Sequence, residues 1–266
     1  MEGTDCSGKK TQSQMLADRL TKEGELSYYF GYPNYKSPTG RVVGLPYLGK
    51  SYLGEELIYE HKDAILKKLS SALQGDYNEE VALKALNIVA EEVGVGWFPE
   101  GAPNVPPKIA SAYYAIDRAY NAGTVEKLLE TGNVVMDRYI YSNMGHQGGK
   151  ITSSKERKEF YDWNARLELE MFGLRKDDIR VFLHVPTIYT GILKGGREEL
   201  LDEHERDENH LRNAENAYLE LASQYNFETI DCLHQMSDPI KLSDVKTPEE
   251  IHEEVYDCVA RKLKLR

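Results

Sequence analysis

Two short stretches carry residue types suited to handling phosphate. The first, Gly3-Thr4-Asp5-Cys6-Ser7-Gly8-Lys9-Lys10-Thr11, places a glycine at each end of a short loop and a lysine directly after the second glycine. That spacing lets successive backbone N–H groups wrap an anion at the start of a helix while the lysine reaches the outer phosphates. The candidates to hold phosphate are therefore Gly3, Asp5, Cys6, Ser7, Gly8, Lys9, Lys10 and Thr11. The pattern calls for a hydroxyl residue after the lysine as a ligand for Mg²⁺. Lys10 stands there instead, and Thr11 lies about 100° further round a helix. The metal is then expected to rest on the phosphates, on water and on an acid elsewhere, with Lys10 adding charge or pointing away. Taken alone, such a loop has a capped turn as its plainer alternative.

The second stretch, Val134-Val135-Met136-Asp137-Arg138-Tyr139, is a short apolar run ending in an acid and an arginine. Ser142, Gln147, Gly148 and Gly149 follow. Acids at the C-terminal ends of parallel strands stand where ligands meet open α/β sheets. Asp137 is thus the natural carboxylate to organise Mg²⁺, and the guanidinium of Arg138 suits a phosphate.

Elements that position these residues are legible in the pattern. Met15, Leu16 and Leu20 have helical spacing after the loop, closing on Gly24. Strands are predicted at 25–33, 133–137, 179–186 and 227–232, with helices at 52–73, 78–93, 109–121, 155–172, 211–225 and 248–264. Residues 34–44 read as a loop, and 94–108 as a Gly/Pro-rich connection. Strands spaced by helices imply a parallel sheet covered on both faces. With no repeat and no low-complexity linker, one domain spanning 1–266 is expected, with a helical insertion at about 46–106.

Composition narrows the partners. The chain has 266 residues, and 33 Lys+Arg against 44 Asp+Glu leave a net charge of −11, which repels a nucleic-acid backbone. The expected partners are small molecules, with no nucleic-acid polymer and no membrane. Three cysteines without metal-ligand spacing, and no apolar run near ~20 residues, fit a soluble, reduced, cytoplasmic protein.

Four landmarks in order resemble the thymidylate kinase family: the opening loop, the Asp137-Arg138-Tyr139 segment, the helix "AYYAIDRAYN", and "FLHVP" followed by "LDEHE" and "AYLELA". The resemblance implies a P-loop three-layer α/β fold with a mobile lid at about 191–207. It implies ATP and Mg²⁺ as cofactors, dTMP as acceptor, and a homodimer. Another pyrimidine (deoxy)nucleoside monophosphate kinase, or a non-catalytic nucleotide-binding relative, remains an alternative. Residue by residue, Lys9 matches the ATP-phosphate lysine, Asp5 the contact to the deoxyribose 3′-hydroxyl, and Arg138 the grip on the acceptor monophosphate. Tyr114 matches the base-stacking aromatic and Arg118 the base-reading arginine, with Ser142 and Gln147 completing the base pocket. Arg is donor-only, so it suits the O4 carbonyl of thymine and opposes the amine of cytosine. Core packing for Tyr114, and a surface ion pair of Arg118 with Asp117 or Glu126, are the plainer alternatives. Arg197 is the lid's candidate cation, with Lys194 and Arg206 behind it.

The pattern departs in three places. Tyr32-Pro33-Asn34-Tyr35-Lys36 lacks the arginine usual after the second strand, leaving Lys36 as a substitute. Asp202-Glu203-His204-Glu205 lacks the lid arginine. An apolar strand normally delivers the chain into the loop, and here only Met1 and Glu2 precede Gly3. The expectation is that several residues of central strand are missing ahead of Met1.

Overall fold

The computed structural model describes residues 1–73, 78–85, 102–194 and 208–265. Five parallel strands form its centre: β1 Glu2–Gly3, β2 Ser27–Gly31, β3 Asn133–Asp137, β4 Val181–His184 and β5 Glu228–Asp231. β2 pairs with β3 from Ser27↔Asn133 to Gly31↔Asp137, and β1, β4 and β5 lie side by side. The backbone of Met1 joins the two groups, because its ammonium donates to Met136 O (2.8 Å) and its carbonyl accepts from Arg138 N (3.0 Å). The strand ahead of the loop is thus reduced to two residues, and a slot opens between β3 and β4 below it.

Helices cover both faces. α1 (Lys9–Lys22) and α10 (Pro248–Leu263) bury Leu16, Leu20, Ile251, Val255 and Val259 against Leu183 and Val185. α10 opens on a capping box between Thr247 and Glu250, with Pro248 at its first position. On the other face, α6 (Ile140–Gly148), α7 (Ser154–Ala165) and α9 (Glu208–Gln224) pack Tyr141, Phe160, Tyr161, Tyr218 and Leu221 onto Phe182. α5 (Pro107–Leu129) lies against α6. Each fully buried apolar side chain contributes ~1.5–3 kcal/mol.

Several expectations are corrected. Residues 34–44 are not all loop: α2 (Pro38–Val42) forms there because Ser37 Oγ caps Gly40 N (3.0 Å) and Pro38 takes the first turn, and a π-helical turn follows at Val43–Tyr47. The helix expected over 52–73 is two, α3 (Ser51–Glu60) and α4 (Lys62–Leu73), parted at His61. The helix expected at 155–172 is α7 followed by a π-turn, Arg166–Met171. α6 went unforeseen because Gly145, Gly148 and Gly149 disfavour a helix in isolation, and packing against α9 overrides that preference. Of the helix expected at 78–93, residues 79–85 are helical and the rest lies outside the described residues. α8 (Thr190–Lys194) begins the segment expected as a lid. Among the described residues no helix is long and apolar enough to cross a membrane.

Candidate active site

The opening loop has the backbone its sequence promises. Gly3 (φ 153°) lies so close to its surroundings that a Cβ would stand 2.6 Å from Ser7 Oγ and 2.7 Å from Leu183 O. Gly8 (φ 79°) is left-handed at the N-cap of α1, where no side chain caps the first-turn N–H groups and no acid opposes an anion. Lys9 is buried and folds back on the loop, donating to Thr4 O (2.5 Å) and Ser7 Oγ (3.4 Å). Burial first, and the Arg138 charge second, lower its amine to about 8, against the pull of Asp5, Asp137 and Glu2. Lys10 and Thr11 are both exposed.

A cleft lined by Asp5, Tyr32, Tyr35, Tyr114, Arg118 and Arg138 adjoins this loop. Arg138 stands where the two meet. Its Nη2 pairs with Asp5 Oδ1, and its Nη1 lies 2.8 Å from His146 Nε2. Because the guanidinium only donates, Nε2 accepts, which requires neutral imidazole at that nitrogen. Burial, outweighing the attraction of Asp5, holds His146 well below the usual histidine range. Despite their own burial, Asp5 is held well below the usual carboxylate range by Arg138, and Arg138 well above its own by Asp5. Cys6 and Arg138 both sit at φ 67°, a region costly for non-glycine residues by ~1–3 kcal/mol each.

Lys9 and Arg138 therefore share one neighbourhood, linked through Asp5. The cleft wall is one face of α6, with Ser142, Asn143, His146 and Gln147 at helical spacing. Gln147 Oε1 is buried without a hydrogen-bond partner. The Ser142 hydroxyl is engaged elsewhere, donating to Glu2 Oε2 (2.6 Å), which also accepts from Tyr218 OH (3.2 Å); Glu2 Oε1 accepts from Tyr139 N (2.8 Å). Glu2 thus fastens the short β1 to α6 and α9.

Arg118 lines the same cleft and is 1% exposed. Its partner is neither Asp117 nor Glu126 but Glu168 of the π-turn, through Nε–Oε2 and Nη2–Oε1 (2.8 Å). Glu168 Oε1 also accepts from Asn143 Nδ2 (3.0 Å) and Asn164 Nδ2 (2.9 Å). Asp117 instead organises the segment after β2, accepting from Asn34 N, Ser37 Oγ and Thr39 Oγ1, each at 2.8 Å. Tyr114 is half-buried in the cleft, edge-on to Tyr47 at 5.8 Å. Lys36 is exposed, and Tyr35, not Lys36, lines the cleft.

Asp137 ends β3 with Oδ1 buried and unpartnered, while Oδ2 accepts from Tyr29 OH (3.4 Å). Among the described residues no cluster of three or more His, Cys, Asp or Glu could hold a metal. One free carboxylate oxygen fits Mg²⁺, which commonly takes one or two protein carboxylates and completes its shell with substrate phosphates and water. Arg197 and Arg206 lie outside the described residues.

Sequence reasoning missed His146, Asn143, Glu2 and Glu168. His146 and Asn143 stand at i+4 and i−4 from Ser142 and Gln147, so one-face spacing on a helix was the available signal. Glu168 had none, because its position depends on the π-turn.

A parallel sheet with helices on both faces and this phosphate loop define a P-loop α/β fold of the nucleotide-kinase type. No protein-family model matches the chain. A probable thymidylate kinase of Methanocaldococcus jannaschii is 26% identical over 155 residues, covering 58% of this chain and 69% of that protein. Thymidylate kinase from Candida albicans, whose structure is described as revealing the origin of broad substrate specificity, aligns with a TM-score of 0.61. The match covers 99% of this chain and 90% of that one at 16% identity. These likenesses bear out the resemblance to the thymidylate kinase family.

Proposed function

We propose that the chain transfers the γ-phosphoryl group of ATP to dTMP, giving ADP and dTDP on the route to dTTP. The carrying observation is Arg138, braced between Asp5 of the phosphate loop and His146 of the cleft wall. A guanidinium so placed can meet a phosphorylated acceptor while Lys9 and the loop amides hold the donor phosphates. An acceptor phosphate oxygen then attacks the γ-phosphorus in line, and the bond to the β–γ bridging oxygen breaks toward ADP. Mg²⁺, with Asp137 Oδ1 to hold it or its water, supplies charge neutralisation when bound. Asp5, once Arg138 turns to phosphate, offers an acceptor to a sugar hydroxyl. Arg197, from a lid at about 191–207, would add positive charge over the transferring group.

The base edge is read by what Glu168 leaves free. It engages Nε and Nη2 of Arg118 and the amide nitrogen of Asn143, so Nη1 and Asn143 Oδ1 remain. A donor beside an acceptor matches the O4 and N3–H of thymine and mismatches the amine and bare N3 of cytosine. Tyr114 provides a ring for the base to stack on, with Gln147 Oε1 as a further acceptor. The assembly proposed is a homodimer in the cytoplasm. Ile109, Ile116 and Tyr120 on α5, exposed by 52%, 47% and 60%, offer it an apolar face.

Measuring ADP release with ATP against dTMP, dUMP, dCMP and thymidine tests this reading. Turnover should be fastest with dTMP and negligible with thymidine, which gives Arg138 no phosphate. Faster turnover of dCMP would make it another pyrimidine kinase. ATP binding without acceptor-dependent ADP release would make it a non-catalytic nucleotide binder.

A further inference from the structure

Glu168 touches no substrate position, yet it is fully buried (0% exposed) and contacts two residues of the cleft. We infer that Glu168 is the positioning residue for pyrimidine selectivity, fixing the guanidinium of Arg118 and the amide of Asn143 in the one orientation that presents a donor beside an acceptor. This rests on the dTMP reading above and adds to it the residue that sets its base preference.

The argument is one of hydrogen-bond accounting. An ionised carboxylate is acceptor-only, so it takes nitrogen, not oxygen, from Asn143 and settles which way that amide faces. The bidentate pair fixes the guanidinium plane of Arg118 in the same manner. Asn164, four residues ahead on α7, donates to the same Oε1 and holds the carboxylate itself. Glu168 sits in the π-turn Arg166–Met171, a device found frequently at functional sites. A buried ion pair kept only for stability would be a poor choice, because apolar residues of similar volume often do as well. No such replacement can orient two polar groups at once.

The test is steady-state kinetics of Glu168→Gln with dTMP and dCMP at saturating ATP. A glutamine keeps the shape but brings an N–H donor to a point where only donors converge, so Asn143 or Arg118 must turn. The dTMP-to-dCMP ratio of kcat/KM should fall by about tenfold or more, chiefly through KM for dTMP, with kcat and KM for ATP within about threefold. A merely structural loss would lower all parameters together. If the glutamine variant does not fold, Glu168→Asp decides, since it keeps the charge and withdraws it by one methylene; its ratio should fall in the same direction. A ratio within about twofold of the parent in a folded variant overturns the inference. Arg118→Ala separates the two levels: if it abolishes the preference while Glu168 variants keep it, only the role of Glu168 falls. If neither changes the preference, the thymine reading of the cleft falls with it.

Discussion

Two concavities flank β3, and they differ in kind. The cleft at its C-terminal end is walled by Asp5, Arg118, Arg138 and His146. The larger slot beside its body is walled by Leu16, Leu20, Val135, Val181 and Val259, with charges of the 175–180 segment beside them. The larger one is not where the chemistry lies. Asn133 N bonds to Leu26 O and Tyr32 N to Asp137 O, so alternate residues of β3 face β2, and Val134 and Met136 face the slot. By the same alternation Arg180 and His184 serve β5, and Val181 faces the slot from β4. Apolar walls with backbone donors and acceptors along both sides suit a run of strand. Cross-braced charges suit a charged ligand. Size does not separate the two; the chemistry of their walls does.

The sharpest way to break this contrast is to remove a charge from the cleft. Arg138→Ala should lower kcat/KM for dTMP by about 10³, in line with loss of a group that stabilises charge in the transition state. The fold should survive, because Asp5 keeps Lys9 nearby as a counter-charge. Circular dichroism and a melting curve beside the kinetics check both halves. A variant retaining a tenth of its activity would move the acceptor phosphate elsewhere.

The slot should answer to stability and not to turnover. Fusing an apolar strand of about five residues ahead of Met1 would give Val134, Met136 and Val181 backbone partners and cover the walls. The melting temperature should rise by about 5 °C or more, with KM for ATP and dTMP unchanged within about twofold. Equal melting of the two forms would mean the slot does not accept a strand.

The same contrast marks how far the sequence could be read. Strands β2 to β5 and the long helices were legible because their apolar periods are strong, and the loop because glycines and a lysine at fixed spacing have few other uses. The placing of Arg118 in the cleft followed from family resemblance. Its pairing did not: Asp117 and Glu126 are near in sequence, whereas Glu168 is fifty residues away and reaches it through a π-turn with no sequence signature. α6 was hidden by its glycines, and with it the face bearing Asn143 and His146. Glu2 had no role in the sequence reading, and only the fold shows it accepting from Ser142 and Tyr218. Local signals carried the elements, and long-range partners that depend on packing did not.

The smallest expected effect is a pH dependence, and it carries opposite signs for activity and stability. Lys9 titrates at about 8 in place of the ordinary 10.5. Above pH 8 the free enzyme loses this charge, so kcat/KM for ATP should fall several-fold between pH 7.5 and 9.5. Bound phosphates favour the charged amine, so kcat at saturating ATP should break at higher pH. Stability runs the other way. Between about pH 8 and 10.5 the unfolded chain holds a proton on this lysine that the folded chain has released, so this group's contribution to stability rises with pH. Lys9→Arg, charged throughout, should abolish the break at 8 in kcat/KM whatever it does to the rate. A break at the same pH in Lys9→Arg would assign the titration to another group of the cleft and leave the slot, with its apolar walls, still indifferent to it.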